Sequence, residues 1–166
     1  MRIARSATVL IDSREVYPWE FPETVLWQPD HPQGNPVLLA ITPEKVALRT
    51  GDYALEGFEG CCLVERKASL RELEGNFLTQ DRGRMLACLD RLRSACRAPL
   101  LVIEATPAQL LAGPEADIIL ARAFADCQGR GVRVWLVPGS TSSDNRRRVG
   151  RLVLLQLLAG TLDASP

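Results

Sequence analysis

The feature that most constrains the fold is residues 100–104, LLVIE, a continuous apolar run that ends in an acid. A strand without polar alternation has to be covered on both faces, which is the condition of a parallel strand inside an α/β sheet. Its neighbours agree. Upstream, Met85, Leu89, Leu92 and Cys96 recur at spacings of three or four and predict a helix with one apolar stripe. Downstream, a helix is predicted over 114–127, stopped by Gly129 and Gly131, followed by a strand over 132–137 and a final helix over about 145–158. The first third reads differently. Residues 7–12, 37–41 and 46–50 are strand candidates, and 53–55 and 61–66 flank the turn-rich EGFEG segment as a hairpin. Prolines at 18, 22, 29, 32 and 36 make 16–36 an irregular loop. Strands first, then alternating helix and strand, predict an α/β domain: a mixed central sheet flanked by helices.

Composition narrows the setting. At 166 residues the chain suits one domain, spanning 1–166. Hydrophobic residues at 46% and charged residues at 24% describe a soluble globular protein, and no apolar run nears the about 18 residues of a membrane span. The short apolar stretch after the basic N-terminus runs into an acidic-basic cluster without a small-residue cleavage site, so the expected location is cytoplasmic, or nuclear in a eukaryote. Five cysteines, no CxxC pair and a single histidine, His31, exclude a disulfide framework and a Cys/His zinc site. Lys+Arg and Asp+Glu both number 20. Net neutrality argues against a protein that coats nucleic acid, since phosphate attraction dominates such binding. It leaves room for an enzyme that gathers acids around a metal and arginines elsewhere. Arg82, Arg84, Arg91, Arg93 and Arg97, and separately residues 146–148, are local basic clusters.

The chemistry concentrates in residues 51–67, GDYALEGFEGCCLVERK. With EGFEG as the loop, a symmetric antiparallel register pairs Leu55 with Cys62, Ala54 with Leu63, Tyr53 with Val64 and Asp52 with Glu65. Opposed Cβ atoms lie roughly 5 Å apart. Two carboxylates that close repel unless a cation sits between them. Lys67 shares the face of Glu65 by strand alternation, while Arg66 points to the other face. Paired carboxylates with an ammonium beside them suit Mg²⁺ or Mn²⁺, which take oxygen ligands and keep waters. The plainer reading is a surface hairpin with an incidental cross-strand salt bridge. A second cluster, Asp12-Ser13-Arg14-Glu15, closes the first strand. Strand ends are where ligand sites form in open α/β sheets, although a solvated turn capped by Asp12 would look the same.

The order DSRE, GDY, VERK, then a helix and LLVIE, resembles the nuclease domain of the XPF family of structure-specific endonucleases, particularly its compact phage and bacterial members. The likeness spans about residues 9–155. It implies a restriction-endonuclease-like core and cleavage of branched, flapped or junction DNA. It also implies roles. Asp52 and Glu65 match the metal ligands, with the Arg66 carbonyl as a third donor and Lys67 as the catalytic lysine. Asp12, Arg14 and Glu15 match the first motif, in which Asp12 or Glu15 positions metal and Arg14 the phosphate. Arg66 matches the signature arginine, and Arg82, or in its place Arg84, a phosphate contact at the next helix. One departure stands out: where the family has Asp three residues after ERK this chain has Arg71, followed by Glu72. The helix-hairpin-helix domains of larger members have no room here. DNA is the implied partner, alongside a homodimeric or heterodimeric one through the late helices.

Two other features are open to more than one reading. The arginines that begin the final helix either meet phosphate or form a solvated helix end. Trp135 is expected in the core, with Trp19 and Trp27 pinning the proline-rich loop. Beside the nuclease stand two alternatives: a catalytically silent DNA-binding or dimerisation subunit of the same fold, and a non-nuclease α/β protein.

Overall fold

A computed structural model describes residues 3–28, 35–139 and 141–162. Residues 29–34 of the proline-rich segment, including His31, and the tail from Asp163, lie outside these. Twelve elements run in the order β1 (Ile3–Asp12), β2 (Thr24–Trp27), β3 (Val37–Val46), β4 (Tyr53–Leu55), β5 (Val64–Lys67), α1 (Leu70–Phe77), α2 (Arg82–Ala95), β6 (Leu100–Ala105), α3 (Pro107–Leu110), α4 (Pro114–Gln128), β7 (Arg133–Pro138) and α5 (Ser143–Leu162). The strands form one mixed sheet ordered β2-β3-β1-β4-β5-β6-β7. β1 pairs in parallel with β3, β4 runs antiparallel to β1 and β5, and β5, β6 and β7 are parallel. The carboxyl ends of β1, β3, β5, β6 and β7 therefore share one edge of the sheet, and β4 begins there.

Strand alternation sorts the interior into two cores. Val9, Ile11, Tyr53, Val64 and Val102 face α5, which buries Val149, Val153, Leu154, Leu157 and Leu158 against them. Leu10, Ala54, Leu63, Leu101 and Ile103 face the other way, onto Leu73 and Phe77 of α1, Leu89 and Leu92 of α2, and Ala123 and Cys127 of α4. Each large aliphatic or aromatic side chain so buried contributes roughly 1.5–3 kcal/mol. The LLVIEA strand is buried at all six positions, as its composition demands. Gly150 lets α5 lie directly on the Trp19-Glu20 segment, where any Cβ would collide with the Glu20 carbonyl oxygen.

Several boundaries differ from those the sequence predicts. The 16–36 stretch contains β2, a four-residue edge strand that pairs with β3 from Val37 to Ala40. β3 continues through Pro43 to Val46, so the strand expected over 46–50 is absent and those residues turn toward β4. Pro43 is tolerated because it lies beyond the reach of β2, where β3 is itself the edge of the sheet. α1 is a separate short helix. No helix among the described residues is long and apolar enough to cross a membrane.

Candidate active site

Of the symmetric register expected for the hairpin, β4 and β5 form the Tyr53–Val64 pair alone, because residues 56–63 are a wider turn and β5 starts at Val64 rather than at residue 61. One residue further out, the Asp52 N–H donates to the Val64 carbonyl at 2.7 Å, and the Asp12 N–H donates to the Asp52 carbonyl at 2.8 Å. Three strand ends are thereby stitched together at the sheet edge. The corner depends on Gly51, whose φ of 75° is left-handed and whose position leaves a Cβ only 3.2 Å from the Val64 carbonyl oxygen.

Asp52, Glu65 and Lys67 come together on the α1/α2 side. The Arg66 backbone N–H donates to Asp52 Oδ2 at 2.7 Å. Lys67 Nζ donates to Glu65 Oε1 at 2.9 Å and lies 3.4 Å from Glu72 Oε1. Glu72 is held in place by the start of α1: its N–H donates to the capping Ser69 Oγ at 3.1 Å, and its Oε2 accepts the Ala68 N–H at 2.9 Å. The carboxylate therefore arrives one residue after Arg71, which is exposed. Asp12 is buried beside this group with both oxygens engaged by Arg14: Oδ1 accepts the Arg14 N–H at 2.8 Å and Nε at 2.9 Å, and Oδ2 accepts Nη2.

Electrostatics separate these acids. The Arg14 hydrogen bonds outweigh burial and hold the Asp12 carboxyl below its usual range. Asp52 goes the other way, pushed up to about 7 by burial and then by the charge on Glu65, against the opposing Arg66 N–H. Burial disfavours the Lys67 ammonium, yet Glu65, Glu72 and Asp52 overcome it and raise its pKa. At neutral pH Lys67 is a fixed positive charge, and Asp52 is a carboxyl that a further cation would ionise. Among the described residues no group of three or more His, Cys, Asp or Glu is arranged to hold a metal. Asp52 and Glu65 form a two-carboxylate set, and such a set suits Mg²⁺, which keeps several waters and takes substrate oxygens. The site opens into a cleft of roughly 440 Å³ whose walls include Arg14, Lys67, Asn76 and Arg84.

Arg66 lies across the sheet. Its Nε donates to Glu104 Oε1 and its Nη1 to Glu15 Oε2, both at 2.8 Å, and Nη1 also reaches the Tyr17 carbonyl at 3.1 Å. The guanidinium lies 5.3 Å over the Trp19 ring, whose indole N–H donates to Glu104. Trp19 stacks on Tyr53 at 4.6 Å, and its backbone N–H donates to the Tyr53 hydroxyl at 3.1 Å. The DSRE cluster is thus divided, with Asp12 and Arg14 beside the carboxylates and Glu15 on the opposite face. Sequence reasoning alone does not bring Glu104, Trp19 and Tyr53 to this cluster; the acid closing LLVIE is the available signal. A second cleft of roughly 610 Å³ borders Arg66, Glu104 and Arg146 on this side. Arg146 donates to the Pro18 carbonyl at 2.6 Å and Arg147 lies 3.4 Å from Glu20, so the arginines that begin α5 hold the loop.

Of the two arginines at the start of α2, Arg82 is held by Asp126 of α4 at 2.7 and 3.1 Å. Arg84 is the one that faces the cleft, exposed and 3.6 Å from Asp81.

No family model matches the chain, and no curated protein does. Solved structures do. XPF from Aeropyrum pernix superposes with a TM-score of 0.54 at 15% identity, over 88% of this chain and 61% of that one. The same protein in a complex with DNA gives a TM-score of 0.56 at 15% identity, over 95% of this chain and 66% of that one. This chain spans just under two thirds of the length of those it matches. The chain thus shares the fold of these XPF structures, a mixed α/β sheet flanked by helices of the restriction-endonuclease-like kind.

Proposed function

We propose that the protein is a divalent-metal-dependent endodeoxyribonuclease that cuts branched or flapped DNA in repair, recombination or phage DNA metabolism. One observation carries this reading: Asp52 and Glu65 converge with a charged Lys67 at an open strand-end cleft, in a fold shared with a protein solved in complex with DNA. Mg²⁺ or Mn²⁺ held by Asp52 and Glu65, with the Arg66 carbonyl as the third donor that the family resemblance implies, would supply Lewis acidity at the scissile phosphate. Lys67 keeps its proton and acts by charge, neutralising the negative charge that builds on the phosphate. Arg14 and Arg84 on the cleft wall meet flanking phosphates. Arg66 and Arg82, already paired with acids, hold the framework. Asp12 reaches metal only if Arg14 releases it.

That pairing favours a second reading, a silent DNA-binding or dimerisation subunit. Exposed Ile118, Leu136 and Leu152 on the late elements offer apolar surface to a homodimeric or heterodimeric partner. Labelled flap, splayed-arm and plain duplex DNA incubated with Mg²⁺, Mn²⁺ or EDTA separate the two. Metal-dependent cutting that is lost in Asp52→Ala supports the nuclease. Binding without cutting supports the silent subunit, and no binding sinks both.

A further inference from the structure

Most arginines near the sheet edge already have acidic or carbonyl partners, which makes the exceptions informative. Arg49 and Arg91 are exposed and, among the described residues, neither side chain makes a hydrogen bond or an ion pair. They are not scattered. Arg84, Cys88, Arg91 and Ala95 follow at intervals of four, three and four along α2, so they share one face of that helix. Arg91 lines both the cleft holding Glu65 and Lys67 and a third cleft of roughly 440 Å³, walled also by Arg49, Thr50, Asp90 and Ser94. Arg49 sits three residues before Asp52, on the segment that delivers it to the site. Because Arg91 lines both, the two clefts adjoin as one groove that runs from Glu65 and Lys67 along α2.

We infer that this groove, through Arg84, Arg91 and Arg49, carries the phosphates of the strand being cut on one side of the scissile bond. The inference rests on the nuclease reading above. From Arg84 to Arg91 the helix advances about 10 Å, roughly the rise of three nucleotides of a duplex strand. The acids on the groove leave its charge positive. Asp90 is occupied by Arg130 at 2.9 Å, and Asp81 lies 3.6 Å from Arg84 alone. The cleft across the sheet is a poorer track, because Arg66 and Arg146 on its wall are already engaged.

The test measures binding of fluorescein-labelled flap DNA in EDTA by anisotropy, across a series of salt concentrations, with cleavage by the wild type in Mg²⁺ run in parallel. The variants are the Arg49→Ala/Arg91→Ala pair, Arg91→Glu, and Arg147→Ala/Arg148→Ala as a control on α5. The exposed positions make misfolding easy to exclude by circular dichroism. The groove predicts at least a roughly tenfold weaker Kd for the pair. It also predicts a slope of log K against log salt that is shallower by about 0.9 for each arginine removed. Arg91→Glu, which like the pair changes the charge by two units, should weaken binding comparably, and the control should bind as the wild type does. If the wild type cuts but Kd and slope are unchanged in the pair, or fall equally in the control, the groove is overturned and the nuclease reading stands. A wild type that neither binds nor cuts overturns both.

Discussion

Glu65 and Lys67 project from one face of β5 and Arg66 from the other, so a single tripeptide supplies two polar clusters of opposite character. On the α5 face every charge has a partner: Arg66 bridges Glu104 and Glu15 under the Trp19 ring, and Tyr53 closes the group. On the α1/α2 face the charges outnumber their partners. Lys67 is shared among acids, Asp52 stays protonated to about pH 7, and the cluster opens into a cleft. A satisfied buried network fixes a structure. One with more carboxylates than cations, at a strand end, leaves work for a ligand.

Arg66→Ala should produce the largest effect on stability. It strands Glu104 and Glu15 and is expected to cost about 3–5 kcal/mol in urea denaturation. Replacing the buried pair together, as Arg66→Met with Glu104→Leu, should recover much of that loss, because matched apolar residues avoid the stranded charge. Lys67→Ala should act on the other quantity, lowering cleavage at least about 100-fold, which is roughly 2.7 kcal/mol of transition-state stabilisation.

The pH dependence of stability sharpens the contrast within the open cluster. Asp52 has a native pKa of about 7 against roughly 3.9 when unfolded. Between those values the native state holds the extra proton, so this group's contribution is fully present below about pH 4 and is lost as pH rises toward 7. Asp12 works in reverse: its depressed native pKa gives stability that is present above about pH 4 and is lost as pH falls through the lowered value. The metal-free Asp52→Asn variant should therefore lack the decline of the wild type between pH 4 and 7. Mg²⁺ should raise the wild-type Tm more at pH 8 than at pH 6 and should do little for the variant. The smallest effect belongs to Ser69→Ala. Losing the α1 cap should cost about 1 kcal/mol by thermal melting and loosen Glu72 from Lys67.

Much of this arrangement was legible from local rules. Counting back from the EGFEG loop put Tyr53 opposite Val64, and strand parity put Arg66 on the face away from Lys67. The LLVIE run announced a buried parallel strand. What stayed hidden depended on long-range pairing. Glu104 meets Arg66 because β5 and β6 align Arg66 with Val102, two residues before Glu104 on the same face, and no local pattern reports that register. β2 is hidden by the prolines on either side of it, at 22 and 29, and by its four-residue length. Arg82 and Arg84 lie two residues apart at a helix start, and only the packing of α4, through Asp126, decides which one is taken.

The proposed nuclease makes the α1/α2 face the chemical one and the α5 face the structural one. Single-turnover cleavage of flap DNA in Mg²⁺ by Glu65→Gln and Glu104→Gln, with each rate divided by the folded fraction, tests it most directly. Glu65→Gln should lose at least about 100-fold, while folded Glu104→Gln should stay within a few-fold of the wild type. Equal losses in the two variants, or an active Glu65→Gln, would contradict it.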